Sequence, residues 1–124
     1  MSKLIYKKES YAIIGVLFEV YNNLGSGFSE IVYKDAIEYE FKQLDIPFIR
    51  EKQYNVNYKD ITLKHNFYAD FVVFNKIILE IKSVENFHDK HLAQCINYLK
   101  VSKCKLAILA NFHENSLDYR RIVL

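Results

Sequence analysis

The hydrophobic period of this chain changes once, near Pro47, and that change limits the folds open to it. Before the proline, Ile13, Val16, Leu17, Val20 and Leu24 recur at helical spacing, and Tyr33, Ala36, Ile37, Glu40, Phe41 and Leu44 do so again. Ser10 and Ser29 stand where helix N-caps would, and Gly25 where the first helix would stop. The second helix must end before Ile46-Pro47, since a residue preceding proline avoids helical angles. After the proline, Tyr54, Val56 and Tyr58 alternate with Asn55 and Asn57, the period of a half-exposed strand. Lys59-Asp60 reads as a turn, "LKHNFYADFVVF" as a long second strand, Asn75-Lys76 as another turn and "IILEIKS" as a third strand. A helix of about three turns around Leu92, Cys95, Ile96 and Leu99 follows, then a short apolar strand, "KLAILA". Arg121-Ile122-Val123-Leu124 adds an edge strand. The order ααβββαβ, with that one further β, is of the α/β class. A meander followed by a helical crossover calls for a central mixed sheet flanked by helices.

At 124 residues the chain is expected to form one domain, 1–124. Hydrophobic residues make up 51%, enough for a core that needs no disulfide or metal to hold it, since a chain of this length buries roughly two-thirds of its unfolded surface. The net charge of +2 excludes a strongly basic coat protein and leaves nucleic-acid binding open. No apolar run reaches the length of a membrane span, and Met1-Ser2-Lys3 is not followed by a signal-peptide core, so a cytoplasmic chain without a membrane partner is expected. Cys95 and Cys104 are then free thiols. His88 and His91 lie three apart, but lack the cysteine neighbours of a structural zinc site.

The third strand poses a chemical question. Glu80 and Lys82 interrupt an otherwise apolar run and, two residues apart, share one face of the strand. Asp70 interrupts the second strand in the same way. Buried charges must be paired, bind a metal or face a cleft. A two-residue turn at Asn75-Lys76 would pair Phe74 with Ile77 and Asp70 with Ile81, turning Asp70 away from Glu80. A shift of one residue, through a three-residue loop or a β-bulge, brings Asp70 to the face of Glu80 and Lys82. The hairpin is therefore expected to be irregular. Two carboxylates and a lysine so gathered suit Mg²⁺ or Mn²⁺, which prefer oxygen ligands and complete their shell with water and phosphate. The bland alternative is an ion pair of Lys82 with Asp70 or Glu80.

Three further stretches bear on the choice. "GFSEIVY" spells G-x-x-E-x-x-Y through Gly27, Glu30 and Tyr33, and "HLAQCINYL" carries Gln94 and Tyr98 four apart. With "YAD" and "EIK", they resemble the GxxExxY family of the PD-(D/E)XK nuclease superfamily over nearly the whole chain. Tyr21 stands where that family commonly has histidine. The resemblance implies a restriction-endonuclease-like core with its metal site where the second and third strands meet. Asp70 matches the superfamily's aspartate, Glu80 its second acid, Lys82 its lysine, and Glu30 the helix-borne glutamate that assists the metal. Gln94 and Tyr98 resemble the Q-x-x-x-Y motif that shapes the site. His91, Gln94 and Tyr98 share a helix face apart from the stripe of Leu92, Cys95, Ile96 and Leu99, with His91 the weaker candidate.

The function expected is thus Mg²⁺-dependent hydrolysis of phosphodiester bonds in DNA or RNA. Asp70, Glu80 and Glu30 would serve the metal, and Lys82 would position the nucleophile. The chain has little room for a sequence-reading domain, so a homodimer or a partner protein would complete the binding surface. A non-catalytic nucleic-acid- or protein-binding module of the same fold is the alternative. A hydrolase of small phosphorylated molecules is a third reading.

Overall fold

The computed structural model describes residues 5–86, 88–113 and 115–124. Met1-Ser2-Lys3 lies outside them. Two helices, α1 (Lys7–Leu24) and α2 (Glu30–Gln43), precede three strands, β1 (Phe48–Tyr58), β2 (Ile61–Val73) and β3 (Ile77–Lys82). Helix α3 (Asp89–Ser102) then leads to β4 (Leu106–Phe112) and β5 (Leu117–Val123). The sheet order is β1-β2-β3-β4-β5. Its pairs are antiparallel except β3–β4, which α3 connects as a parallel crossover. This is the expected mixed sheet flanked by helices, with β1, β2 and β5 longer than the sequence suggests.

Two cores follow from the two faces. Ile13, Leu17, Tyr33, Ile37 and Phe41 of α1 and α2 pack on Phe71, Leu79, Ile81, Ile108 and Phe112. On the opposite face, Cys95, Tyr98 and Leu99 of α3 cover Ala69, Val72, Ile78, Ala107 and Leu109. Adjacent residues such as Ile78 and Leu79 thus enter different cores, as the pleat requires. Strands β3 and β4, covered on both faces, can be nearly continuous apolar runs.

The helix ends differ in detail from expectation. Ser10 does not cap α1, which begins at Lys7. Ser10 lies three residues before Ile13 and seven before Leu17, on the buried stripe, and its hydroxyl has no hydrogen-bond partner among the described residues. The helix extends back past it, and Glu9 in the first turn pairs with Lys76 at 2.6 Å. Gly25 ends α1 as expected, with φ at +67° and its N–H donating to the Tyr21 carbonyl at 2.7 Å. Ser29 does precede α2, but its side chain makes no capping bond. The second helix stops before Ile46-Pro47, and Phe74 N–H donates to the Pro47 carbonyl at 2.8 Å.

In α3 the buried stripe is His91, Cys95, Tyr98 and Leu99, while Leu92 and Ile96 are half-buried. The expected separation of His91 and Tyr98 from the apolar stripe is corrected by this rotation. Tyrosine and histidine carry enough apolar ring to enter a core when their polar atoms are bonded. Both are: Tyr98 hydroxyl donates to the Tyr68 carbonyl at 2.9 Å, and His91 Nδ1 accepts the His88 N–H at 3.1 Å. The spacing of His88 and His91 therefore serves the start of the helix.

Candidate active site

The β2–β3 connection is the irregular hairpin that the charged residues called for. Val73 pairs with Ile77 across a three-residue loop, Phe74-Asn75-Lys76, in which Phe74 and Asn75 have positive φ. The ladder continues through Val72↔Ile78 to Phe71↔Leu79, and the next step of that register sets Asp70 opposite Glu80. There the regular ladder stops. Asp70 N–H donates to Glu80 Oε2 at 2.6 Å, and Ile81 N–H donates to Asp70 Oδ2 at 2.8 Å. Each carboxylate takes the place of a backbone acceptor from the neighbouring strand.

A second irregularity falls at the same level on the other side of β2. Arg50 pairs with Phe71 and Lys52 with Ala69, and between them Glu51 adopts a left-handed φ of +55°. The face of β2 changes there: Phe71 and Val73 enter the α1–α2 core, whereas Phe67 and Ala69 pack toward α3. A uniform strand would keep residues 67, 69, 71 and 73 on one side. Asp70 sits at this break, which frees its side chain to reach along the seam between β2 and β3.

Glu80 is 2% exposed. Burial, and then the charge of Asp70, push its carboxyl up to about 8, against the opposing influence of the Asp70 N–H, Lys82 and Lys34. Lys34, on α2 one turn after Glu30, was not foreseen as part of the site. Its Nζ lies 3.2 Å from Asp70 Oδ1 and 2.7 Å from Glu51 Oε1. Burial works against the Lys34 charge, but Glu51 and Asp70 more than offset it and hold its pKa raised. The only sequence signal for Lys34 was its i+4 relation to Glu30.

The ion pair of Lys82 with Asp70 or Glu80, the bland alternative to a metal site, does not form among the described residues; Lys34 is the ammonium paired with Asp70. Lys82 instead lines a cleft of about 450 Å³ with Lys90, His91, Gln94 and Asn97. Its charge, second to burial, keeps His91 below the usual histidine range. Glu30 acts on His91 in the opposite sense, from the first residue of α2. Gln94 donates to the Tyr98 hydroxyl at 3.3 Å, so the Q-x-x-x-Y pair is joined and tied through Tyr68 to the strand carrying Asp70. Burial, then Glu80 and then Asp70, raise the Tyr98 pKa.

Other motif residues are structural. Tyr33 is fully buried, stacks on Phe112 at 4.1 Å and donates to the Gly25 carbonyl at 2.7 Å. It also accepts the Phe28 N–H at 3.3 Å, so it holds the loop around Gly27, whose φ of +98° favours glycine. Asn111, another buried group not foreseen, exchanges two hydrogen bonds with the backbone of Val84, at 2.9 and 2.8 Å, and anchors the chain leaving β3.

The donor set fits a hard cation. Two carboxylates meet at one seam, and one of them is buried with its charged form disfavoured. Among the described residues no group of three His, Cys, Asp or Glu side chains is gathered to hold a metal ion.

The model of the PD-(D/E)XK nuclease superfamily matches residues 7–122. Among solved structures, the crystal structure of SSO0001 is similar over 95% of this chain, with a TM-score of 0.60 and 16% identity, a likeness of fold alone. The chain spans 57% of that protein's chain. No curated protein matches. The ααβββαβ order, the mixed sheet and the match over nearly every residue agree: the chain belongs to the PD-(D/E)XK nuclease superfamily.

Proposed function

We propose that this chain is a Mg²⁺-dependent nuclease of the GxxExxY family, hydrolysing phosphodiester bonds in DNA or RNA. The observation that carries the proposal is the meeting of Asp70 and Glu80 where β2 and β3 part. These two carboxylates would hold Mg²⁺ or Mn²⁺, with Glu30 assisting directly or through water. When bound, the ion polarises a phosphoryl oxygen and acidifies an attacking water. Lys82, at the cleft wall and without an ion pair among the described residues, would orient that water and offset charge developing on the phosphate. Gln94 lines the cleft, and Tyr98, to which it is bonded, keeps α3 fixed to the strand of Asp70.

The ammonium of Lys34 favours a second reading, a non-catalytic binding module in which Asp70 is permanently paired. Calorimetric titration with Mg²⁺ separates the two. Wild type is expected to bind and Asp70→Asn to lose binding at least tenfold, since the amide removes one anionic ligand. Equal heats for the two proteins, or none for either, would favour the module.

Metal uptake should also be linked to protons. The folded-state pKa of Glu80 lies above its ordinary value of 4.5. Its contribution to stability is therefore present below about pH 4.5 and is lost as pH rises through about 8. A cation that needs the ionised carboxylate competes with that proton. The rise in melting temperature produced by Mg²⁺ is expected to grow between about pH 6 and pH 8.5, and titration at neutral pH to release protons. Identical titration enthalpies in two buffers of different ionisation enthalpy would show that no proton leaves.

A further inference from the structure

Strand β3 pairs with β2 from Phe71 to Val73, so among the described residues the β1–β2 hairpin beyond residue 70 has no further strand beside it. From residue 70 to its tip at Lys59-Asp60 it is an arm about 30 Å long, at ~3.3 Å per residue. Its two faces differ. Lys52, Tyr54 and Val56 are half-buried, whereas Gln53, Asn55 and Asn57 are exposed. Cross-strand pairing places Phe67 opposite Tyr54 and Ile61 opposite Tyr58, and His65 packs edge-on to Phe67 at 4.9 Å. One face of the arm therefore carries an aromatic series from Phe67, against Tyr98 of α3, outward to Tyr58, which is 55% exposed. It is the α3 side of the sheet, the side of Glu80 and of the cleft lined by Lys82 and Gln94.

The charges of the arm match its rings. Between residues 52 and 68 there are three lysines, Lys52, Lys59 and Lys64, against one acid, Asp60. None of the three makes an ion pair among the described residues. Lys52 lies over the Tyr54 ring at 5.5 Å and Lys59 over the Tyr58 ring at 5.4 Å. The edges are poorly suited to pairing with another strand: between Asn55 and Asn57 the register shifts, with Val56 facing three residues of β2. Such bulges, with lysines beside them, keep edge strands from adding to one another. A second copy of this chain is thus disfavoured as the occupant, and an anionic, base-bearing polymer is favoured.

We propose that the β1–β2 arm is a platform for single-stranded nucleic acid, with a base stacked on the exposed Tyr58, the next against the half-buried Tyr54, and phosphates held by Lys52, Lys59 and Lys64. Rings on a surface engage bases whose faces are open, which a duplex does not offer, and they do so without reading sequence. The arm is rooted at Asp70, so a strand lying on it runs toward Asp70 and Glu80; this direction of travel, though not the binding, rests on the nuclease reading above.

The test is fluorescence anisotropy in EDTA, with a labelled single-stranded DNA, an RNA of the same sequence and the blunt duplex. Wild type is expected to bind the single strands more tightly than the duplex. Tyr58→Ala should weaken single-strand binding by roughly tenfold or more. The triple variant Lys52→Ala, Lys59→Ala, Lys64→Ala should lower the slope of log affinity against log salt by about two, from ~0.7 per phosphate contact. Both variants should keep the wild-type melting temperature and Mg²⁺ titration. Unchanged affinity and slope in the variants, a preference for the duplex, or no binding by wild type at low salt would overturn the platform. So would a wild-type dimer in sedimentation that Tyr58→Ala dissolves while oligonucleotide binding is unaffected. Weakened binding by the arm variants in a protein that takes up no Mg²⁺ supports the platform and removes the nuclease reading.

Discussion

Glu80→Ala is expected to abolish both the stabilisation by Mg²⁺ and the cleavage of nucleic acid, whereas Lys82→Ala should keep the first and lose most of the second. The two residues are neighbours on one face of β3, yet their environments set them apart. Glu80 is buried and bonded to the Asp70 N–H, at the seam where a cation would complete the charge. Lys82 stands on the wall of the cleft with no ion pair among the described residues. A ligand contributes to the bound ground state, so its loss removes binding and everything that follows. A lysine that meets charge only as it develops acts in the transition state, and its loss should lower kcat by roughly a hundred- to a thousandfold with metal affinity preserved. Glu80→Gln adds a useful contrast. It keeps an acceptor for the Asp70 N–H while removing a carboxylate whose ionised form is disfavoured by burial and by Asp70. Above about pH 8 the metal-free Gln variant should therefore melt higher than metal-free wild type while failing to bind Mg²⁺. If Glu80→Ala still cleaves nucleic acid and is still stabilised by Mg²⁺, the seam is a structural contact and the binding-module reading replaces the nuclease.

The largest effect on stability is expected at Cys95. Its side chain is fully buried in the α3 core, and burial, followed by the charge of Glu80, pushes its thiol up to about 12. A carboxylate in its place would be an uncompensated charge close to Glu80 and Asp70. Cys95→Asp should cost about 3–5 kcal/mol and lower the melting temperature by roughly 10 °C or more. Gln94→Ala, one residue away but half-buried, removes the bond to Tyr98 and part of the cleft wall. It should leave the melting temperature within a few degrees and reduce cleavage. Thermal denaturation of both variants, with a cleavage assay for the second, checks the pair. A stable Cys95→Asp protein beside an unstable Gln94→Ala would show that α3 is turned differently on the sheet.

Much of the architecture was legible because periodicity and punctuation act locally. Pro47 separated helical from alternating patterns, Gly25 ended α1 with its positive φ, and the apolar runs of β3 and β4 marked strands covered on both faces. The charged residues carried long-range information as well. Asp70 and Glu80 could share a face only if the register shifted by one residue, through a longer loop or a bulge, and the loop is the three-residue Phe74-Asn75-Lys76. A buried charge is costly enough that its mere presence in an apolar strand constrains the register.

What the sequence left open depends on which surfaces meet. Ser10 carries a cap residue's side chain, but the packing of α1 on the sheet decided that it lies inside the helix. The face of α3 was open to misreading because Leu92 and Ile96 look more apolar than His91 and Tyr98. Bonds to His88 and Tyr68 satisfy the polar atoms of those two rings and let them enter the core. Lys34 gave no signal beyond its i+4 relation to Glu30, and Asn111 gave none, since a lysine in a helix and an asparagine near the end of a strand are ordinary. The chain itself determined that two carboxylates would stand in buried strands and that the hairpin joining them would be irregular. Only the tertiary structure decided that an ammonium from α2 reaches Asp70, and that the break in β2 turns the arm's aromatic face to the side of Glu80. Both are consequences of elements far apart in sequence closing on one seam, where distance through space, rather than order along the chain, sets the electrostatics.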